Sequence, residues 1–141
     1  MKKHFSKILF FIASVFLTSC AGFLPAPEDQ PVSDNSAVVA LMDTARTDIA
    51  KGNLDAAVAP LERALRIEPH NALLWQGLSK LRLQQGQYQQ AEGLAARSNG
   101  WAGSNKALRA ENWRIIGEAR LKRGDHQGAQ AAFDKAATQR N

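Results

Sequence analysis

Aligned on Gly52, Gly86 and Gly124, the chain repeats its small and apolar positions at fixed offsets. Alanine stands five residues after each glycine, at Ala57, Ala91 and Ala129, and Leu61, Ala95 and Phe133 follow at nine. Ala64, Ser98 and Ala136 lie at twelve, while Leu41, Trp75 and Trp113 stand eleven residues before. Thr44, Leu78 and Ile116 precede the glycines by eight, and Ala45, Ser79 and Gly117 by seven. The glycines are 34 and then 38 residues apart, so residues 37–141 read as three copies of one unit. Alanine, leucine, glutamine and arginine dominate this part of the chain, which predicts helices and argues against an all-β fold.

Upstream the pattern changes twice. Residues 1–19 have a basic start and an apolar run of 10 residues from Ile8 to Leu17, the grammar of an export signal. A membrane-spanning helix needs about 20 such residues. Residues 20–36 carry Pro25, Pro27 and Pro31 with Glu28, Asp29 and Asp34 and no apolar periodicity, which predicts a flexible, extended tether. At about 3.3 Å per residue its reach is about 50 Å.

The repeat resembles the tetratricopeptide repeat, a unit of about 34 residues that pairs two antiparallel helices and carries a W-x2-L-G to A-x3-F pattern with a closing proline. The third copy matches best, through Trp113, Ile116, Gly117, Gly124, Ala129, Phe133 and Ala136, while Pro69 closes the first. The resemblance implies an all-α fold of three helix pairs in a short right-handed solenoid. Expected pairs are 37–51 with 54–67, 71–85 with 88–98, and 106–123 with 126–138. Three departures stand out. Asp48, Arg82 and Arg120 replace the family's aromatic near the end of the first helix, Gly103 replaces the second closing proline, and Pro60 is expected to kink a helix.

Leu17-Thr18-Ser19-Cys20 resembles the lipobox of bacterial lipoproteins, which implies that Cys20 is lipidated and becomes the mature N-terminus. Several acyl chains, each methylene worth about 0.8 kcal/mol, would then anchor it durably. Ala21, rather than Asp, follows the cysteine. By the same resemblance that implies the outer membrane, with the domain facing the periplasm.

Charge and chemistry narrow the function. The net charge of +5 falls to +2 without Lys2, Lys3 and Lys7, which lie in the expected signal, so no nucleic-acid partner is expected. One cysteine makes neither an internal disulfide nor a zinc site, and no metalloprotease, hydrolase, P-loop or dinucleotide motif occurs, so neither an enzyme nor a cofactor is expected. Beyond Cys20 the only histidines, His70 and His126, read as surface residues. Trp75 and Trp113 read as packing within their helix pairs. Trp101, in a Gly/Ser/Asn connector, either anchors a partner or tucks back beneath that connector.

Residues 20–79 carry 4 basic and 8 acidic groups, and residues 80–141 carry 11 and 5. The resemblance lines the concave groove with first-helix residues: Arg46 and Ile49, then Gln76, Lys80, Leu83 and Gln84, then Arg114, Glu118, Leu121 and Lys122. These are either solvated helix faces or a basic groove for a carboxylate-bearing peptide. The candidate partner-binding set is Lys80, Gln84, Arg114, Glu118 and Lys122, with Trp101 at its edge. Lipobox, tether and three repeats together resemble the lipoprotein activators of bifunctional class A penicillin-binding proteins. The alternatives are a pilotin or assembly scaffold for an outer-membrane complex, and a module that binds peptidoglycan peptides.

Overall fold

The computed structural model describes residues 32–140, which form six helices: α1 (Ser36–Ala50), α2 (Val58–Ile67), α3 (Ala72–Gln84), α4 (Tyr88–Trp101), α5 (Lys106–Lys122) and α6 (His126–Arg140). They pack as three pairs, α1 with α2, α3 with α4 and α5 with α6, stacked in a short solenoid through α2 on α3 and α4 on α5. Backbones of α3 and α5 lie side by side, whereas α1 approaches only α2. The expected signal, Cys20 and most of the tether lie outside the described residues. Its last part does not stand apart from the fold, because Asn71 Nδ2 donates to the carbonyl of Val32 at 2.7 Å and Ser33 Oγ donates to Glu68.

Each first helix of a pair starts and stops on local chemistry. Asn35, Asn71 and Asn105 cap α1, α3 and α5, their side-chain oxygens accepting from Ala37, from Leu73 and Leu74, and from Leu108. The three glycines that anchor the repeat take φ of +78°, +76° and +83° just past the helix ends. Only glycine adopts that conformation without a steric cost, and it lets the next amide turn back on the helix. Asn53, Gln87 and Asp125 donate to the carbonyls of Asp48, Arg82 and Arg120 at 2.8, 2.8 and 3.0 Å. Those are the positions where the family aromatic is missing. In its place Arg82 reaches Gln85, Gln87 and Glu62, while Arg120 and Arg123 both hold Glu92, tying α5 to α4.

The small residues set how closely paired helices approach. Ala57, Ala91 and Ala129 are all buried, and Ser79 at the facing position donates to the carbonyl of Ala91 at 2.7 Å. In the third pair a β-carbon added to Gly117 would lie 2.4 Å from the Phe133 ring, so the ring rests directly on helix backbone. One apolar cluster around Leu61, Leu74 and Leu81 joins α1, α2 and α3, and a second around Ala95, Ile115, Ile116 and Ala132 joins α4, α5 and α6.

Two expectations are corrected. α2 begins at Val58, four residues late, which places Pro60 third in the helix. A first-turn amide has no partner inside the helix, so the proline removes no backbone bond and instead packs its ring into the core. α4 runs three residues beyond Ser98, through Asn99 and Gly100 to Trp101, and leaves Ala102 to Asn105 as the connector. Gly103, at the place of the missing proline, turns the chain with φ +54°.

Gly117→Ala should therefore destabilise the domain by about 1 to 3 kcal/mol, since overpacking against Phe133 outweighs the gain in helix propensity. The denaturant midpoint measures this, and Phe133→Leu in the same chain should recover most of the loss. A midpoint that rises in the single variant contradicts the close contact.

Candidate partner-binding site

Residues 76, 80 and 84 lie along one side of α3, and 111, 114, 118 and 122 along one side of α5. Because α3 and α5 are neighbours, these two stripes meet. Beneath them a buried polar network holds the helices in register. Gln76 Nε2 donates to Asn112 Oδ1 at 3.0 Å, and Asn112 Nδ2 donates to Ser98 Oγ at 2.7 Å and to Asn99 Oδ1 at 3.0 Å. Ser98 Oγ in turn donates to the carbonyl of Ala72 at 2.8 Å. Asn112 is fully buried, so these bonds offset the desolvation of its amide and join α3, α4 and α5.

Glu111 organises the face above. Arg114 Nε and Nη2 each donate to its carboxylate at 2.8 Å, a bidentate pair, and Lys80 Nζ reaches Oε1 from α3 at 3.1 Å. Arg114 also holds Glu118. Hydrogen bonding from Arg114, reinforced by that from Lys80, holds the Glu111 carboxyl below its ordinary value of 4.5, at about 2, against the opposing effect of burial. The same pair keeps the Arg114 guanidinium charged well above its ordinary range.

The structure thus brings Lys80, Arg114 and Glu118 together, yet Lys80 and Arg114 are balanced by Glu111 and Glu118. Gln84 and Lys122, at the helix ends, are exposed. Glu111 is absent from the sequence-derived set, although its spacing of three from Arg114 was a readable signal. Arg46 and Ile49 lie on α1, whose backbone does not approach α3.

Trp101 is not in a loop beneath the connector. It is the last residue of α4, 49% exposed, and its ring lies against His70 of the α2–α3 turn, centroids 4.1 Å apart and planes tilted by 38°. Trp113 packs in the cluster of α4, α5 and α6, whereas Trp75 reaches beyond its pair, packing on the α1–α3 cluster and donating its indole N–H to the carbonyl of Pro69 at 2.8 Å; each carries a cation over its ring, Arg97 at 4.6 Å and Lys135 at 4.4 Å. His126 is exposed at the start of α6. Among the described residues no group of histidine, cysteine and carboxylate side chains could hold a metal ion, and no helix is long and apolar enough to cross a membrane.

Helix pairs joined at small residues, with charged first-helix faces, define a tetratricopeptide repeat protein, a non-catalytic protein-binding module, and the Tetratricopeptide repeat family matches residues 48–110. The globular C-terminal domain of P. aeruginosa LpoP is 39% identical, covers 74% of this chain and 99% of its own, and superposes with a TM-score of 0.72. The chain belongs to the LpoP family. The N-terminal domain of stress-induced protein-1 (STI-1) from C. elegans, 14% identical with a TM-score of 0.69, covers 74% of this chain and 87% of its own. The second tetratricopeptide domain of Spaghetti (RPAP3), solved bound to the HSP90 peptide SRMEEVD, is 19% identical with a TM-score of 0.65 over 73% and 92%. These last two share the fold. No curated protein matched the chain.

The lowered Glu111 carboxyl contributes stability that is present above its ordinary value and lost as pH falls toward 2. Thermal midpoints taken from pH 5 to pH 2 should fall less steeply in Glu111→Gln than in the unaltered chain. Parallel curves would contradict the pairing.

Proposed function

We propose that the chain is a lipid-anchored periplasmic adaptor of the outer membrane that activates a bifunctional peptidoglycan synthase, a class A penicillin-binding protein. The observation that carries this reading is the 39% identity to nearly the whole LpoP C-terminal domain, with the lipobox-like Leu17 to Cys20 and a proline-containing segment ahead of it.

Such an adaptor accelerates its partner by binding. It shifts the synthase toward an active conformation only as far as it binds that conformation more tightly than the resting one. Val32 and Ser33 are held on the domain, so residues 20–31 set the reach from a lipidated Cys20, about 40 Å at full extension. The synthase must therefore present its contact surface near the outer membrane.

Purified lipid-free mature chain should co-purify with the class A synthase of the same cell and raise its glycan polymerisation rate severalfold. An unchanged rate without co-purification would overturn the reading. In cells, Cys20→Ser should abolish palmitate labelling and release the protein from membranes, whereas label persisting in that variant excludes anchoring through Cys20.

A further inference from the structure

Away from the α3–α5 face, a groove of about 740 Å³ runs between α2 and α4 with α3 as its floor. Leu65, Trp75, Leu78 and Leu94 make it apolar. Its charged residues are Glu62, Arg66, Arg82 and Arg97, and Glu62 is taken by Arg82 at 3.4 Å. Among the described residues Arg66 and Arg97 have no carboxylate partner, and both are exposed. Arg97 lies over the Trp75 ring, its guanidinium carbon 4.6 Å from the centroid, and among the described residues its N–H groups hold no hydrogen-bond acceptor. Two positive charges thus remain uncompensated here, whereas on the α3–α5 face Lys80 and Arg114 are matched by Glu111 and Glu118 and only Lys122, at the helix end, has no carboxylate partner among the described residues.

The α4 wall is shaped to admit a side chain. Gly93 lies in mid-helix, where glycine is disfavoured, and a β-carbon added there would meet nothing within 4 Å. Gln90, Gly93, Leu94 and Arg97 form one helical stripe, and Trp101 continues it one turn past Arg97. Its half-exposed ring lies against His70, next in sequence to the groove residue Pro69, so an aromatic surface stands near the groove's end. Aromatic and arginine side chains around a concave apolar surface are the composition of an anchoring site.

We propose that the α2–α4 groove is a peptide-binding site for a partner segment that carries an apolar side chain next to a carboxylate. The apolar side chain fills the space beside Gly93 against Trp75, Leu78 and Leu94, and the carboxylate is held between Arg66 and Arg97. This names a surface and a ligand chemistry for the adaptor reading, and so rests on it.

The test places a photo-crosslinking amino acid in the full chain, either at Gln90 in the groove or at Gln84 on the α3–α5 face, within its own cell envelope. Cross-linked segments are identified by mass spectrometry. From Gln90 the expected product is a segment of another protein with an aspartate or glutamate within about three residues of the linked apolar side chain. Its yield should fall about tenfold with Arg66→Glu and Arg97→Glu together, since a reversed charge pair repels the carboxylate. Gly93→Leu, which fills the groove without altering charge, should lower it similarly while circular dichroism stays unchanged. Linkage to residues 21–31 of the same chain, to a second copy, or to a segment without a carboxylate overturns the proposal, as does a yield indifferent to these substitutions. Cross-links from Gln84 alone reject the groove and leave the adaptor intact, whereas none from either position counts against the adaptor itself.

Discussion

Everything in this fold depends on how closely two helices can approach at a small residue. Where Phe133 lies on Gly117, or Ser79 reaches the carbonyl of Ala91, the two helices of a pair meet with side chain directly against backbone. On pairs packed this way α3 lies beside α5, Asn112 bonds residues of two neighbouring helices, and Glu111 is within reach of Lys80. A larger residue at the seam would move these groups apart together, because each short repeat is stable only through its neighbours.

The same packing separates two kinds of charged surface. On the α3–α5 side, Glu111 and Glu118 balance Lys80 and Arg114, so among the described residues a partner's acidic group finds one free cation, Lys122 at the helix end, and must displace a bidentate pair to gain Arg114. Between α2 and α4, Arg66 and Arg97 border an apolar floor without that competition. Recognition by an adaptor depends on what remains to be satisfied, and by that criterion the second surface has more to offer a carboxylate-bearing segment.

Much of the fold was legible because its signals are local. Gly52, Gly86 and Gly124 mark helix ends where a positive φ is required, and alanines at a constant distance from them mark the seams. Boundaries were less legible. Pro60 looked like a kink because its position within α2 depends on where the chain leaves the turn at residues 54–57, and Asn99-Gly100 looked like a loop although tertiary packing carries α4 through it. The asparagine caps went unread because they stand at different distances from the glycines. At the site, residue positions along the first helices were readable, but ion pairing across helices was not. Whether Lys80 is available depends on Glu111 reaching it from another repeat, which no spacing within one copy discloses.

The proposed contact of this LpoP-family domain with a partner runs through charge left uncompensated at the α2–α4 groove. Nuclear magnetic resonance of the labelled domain with the purified class A synthase proposed as its partner tests this, by cross-saturation from partner to backbone amides and tryptophan indoles. Signal loss is expected at Arg66, Gly93, Arg97 and the indoles of Trp75 and Trp101, with Lys80 and Arg114 unaffected. Loss concentrated at Lys80, Gln84, Arg114 and Lys122, with the α2–α4 residues silent, would contradict it.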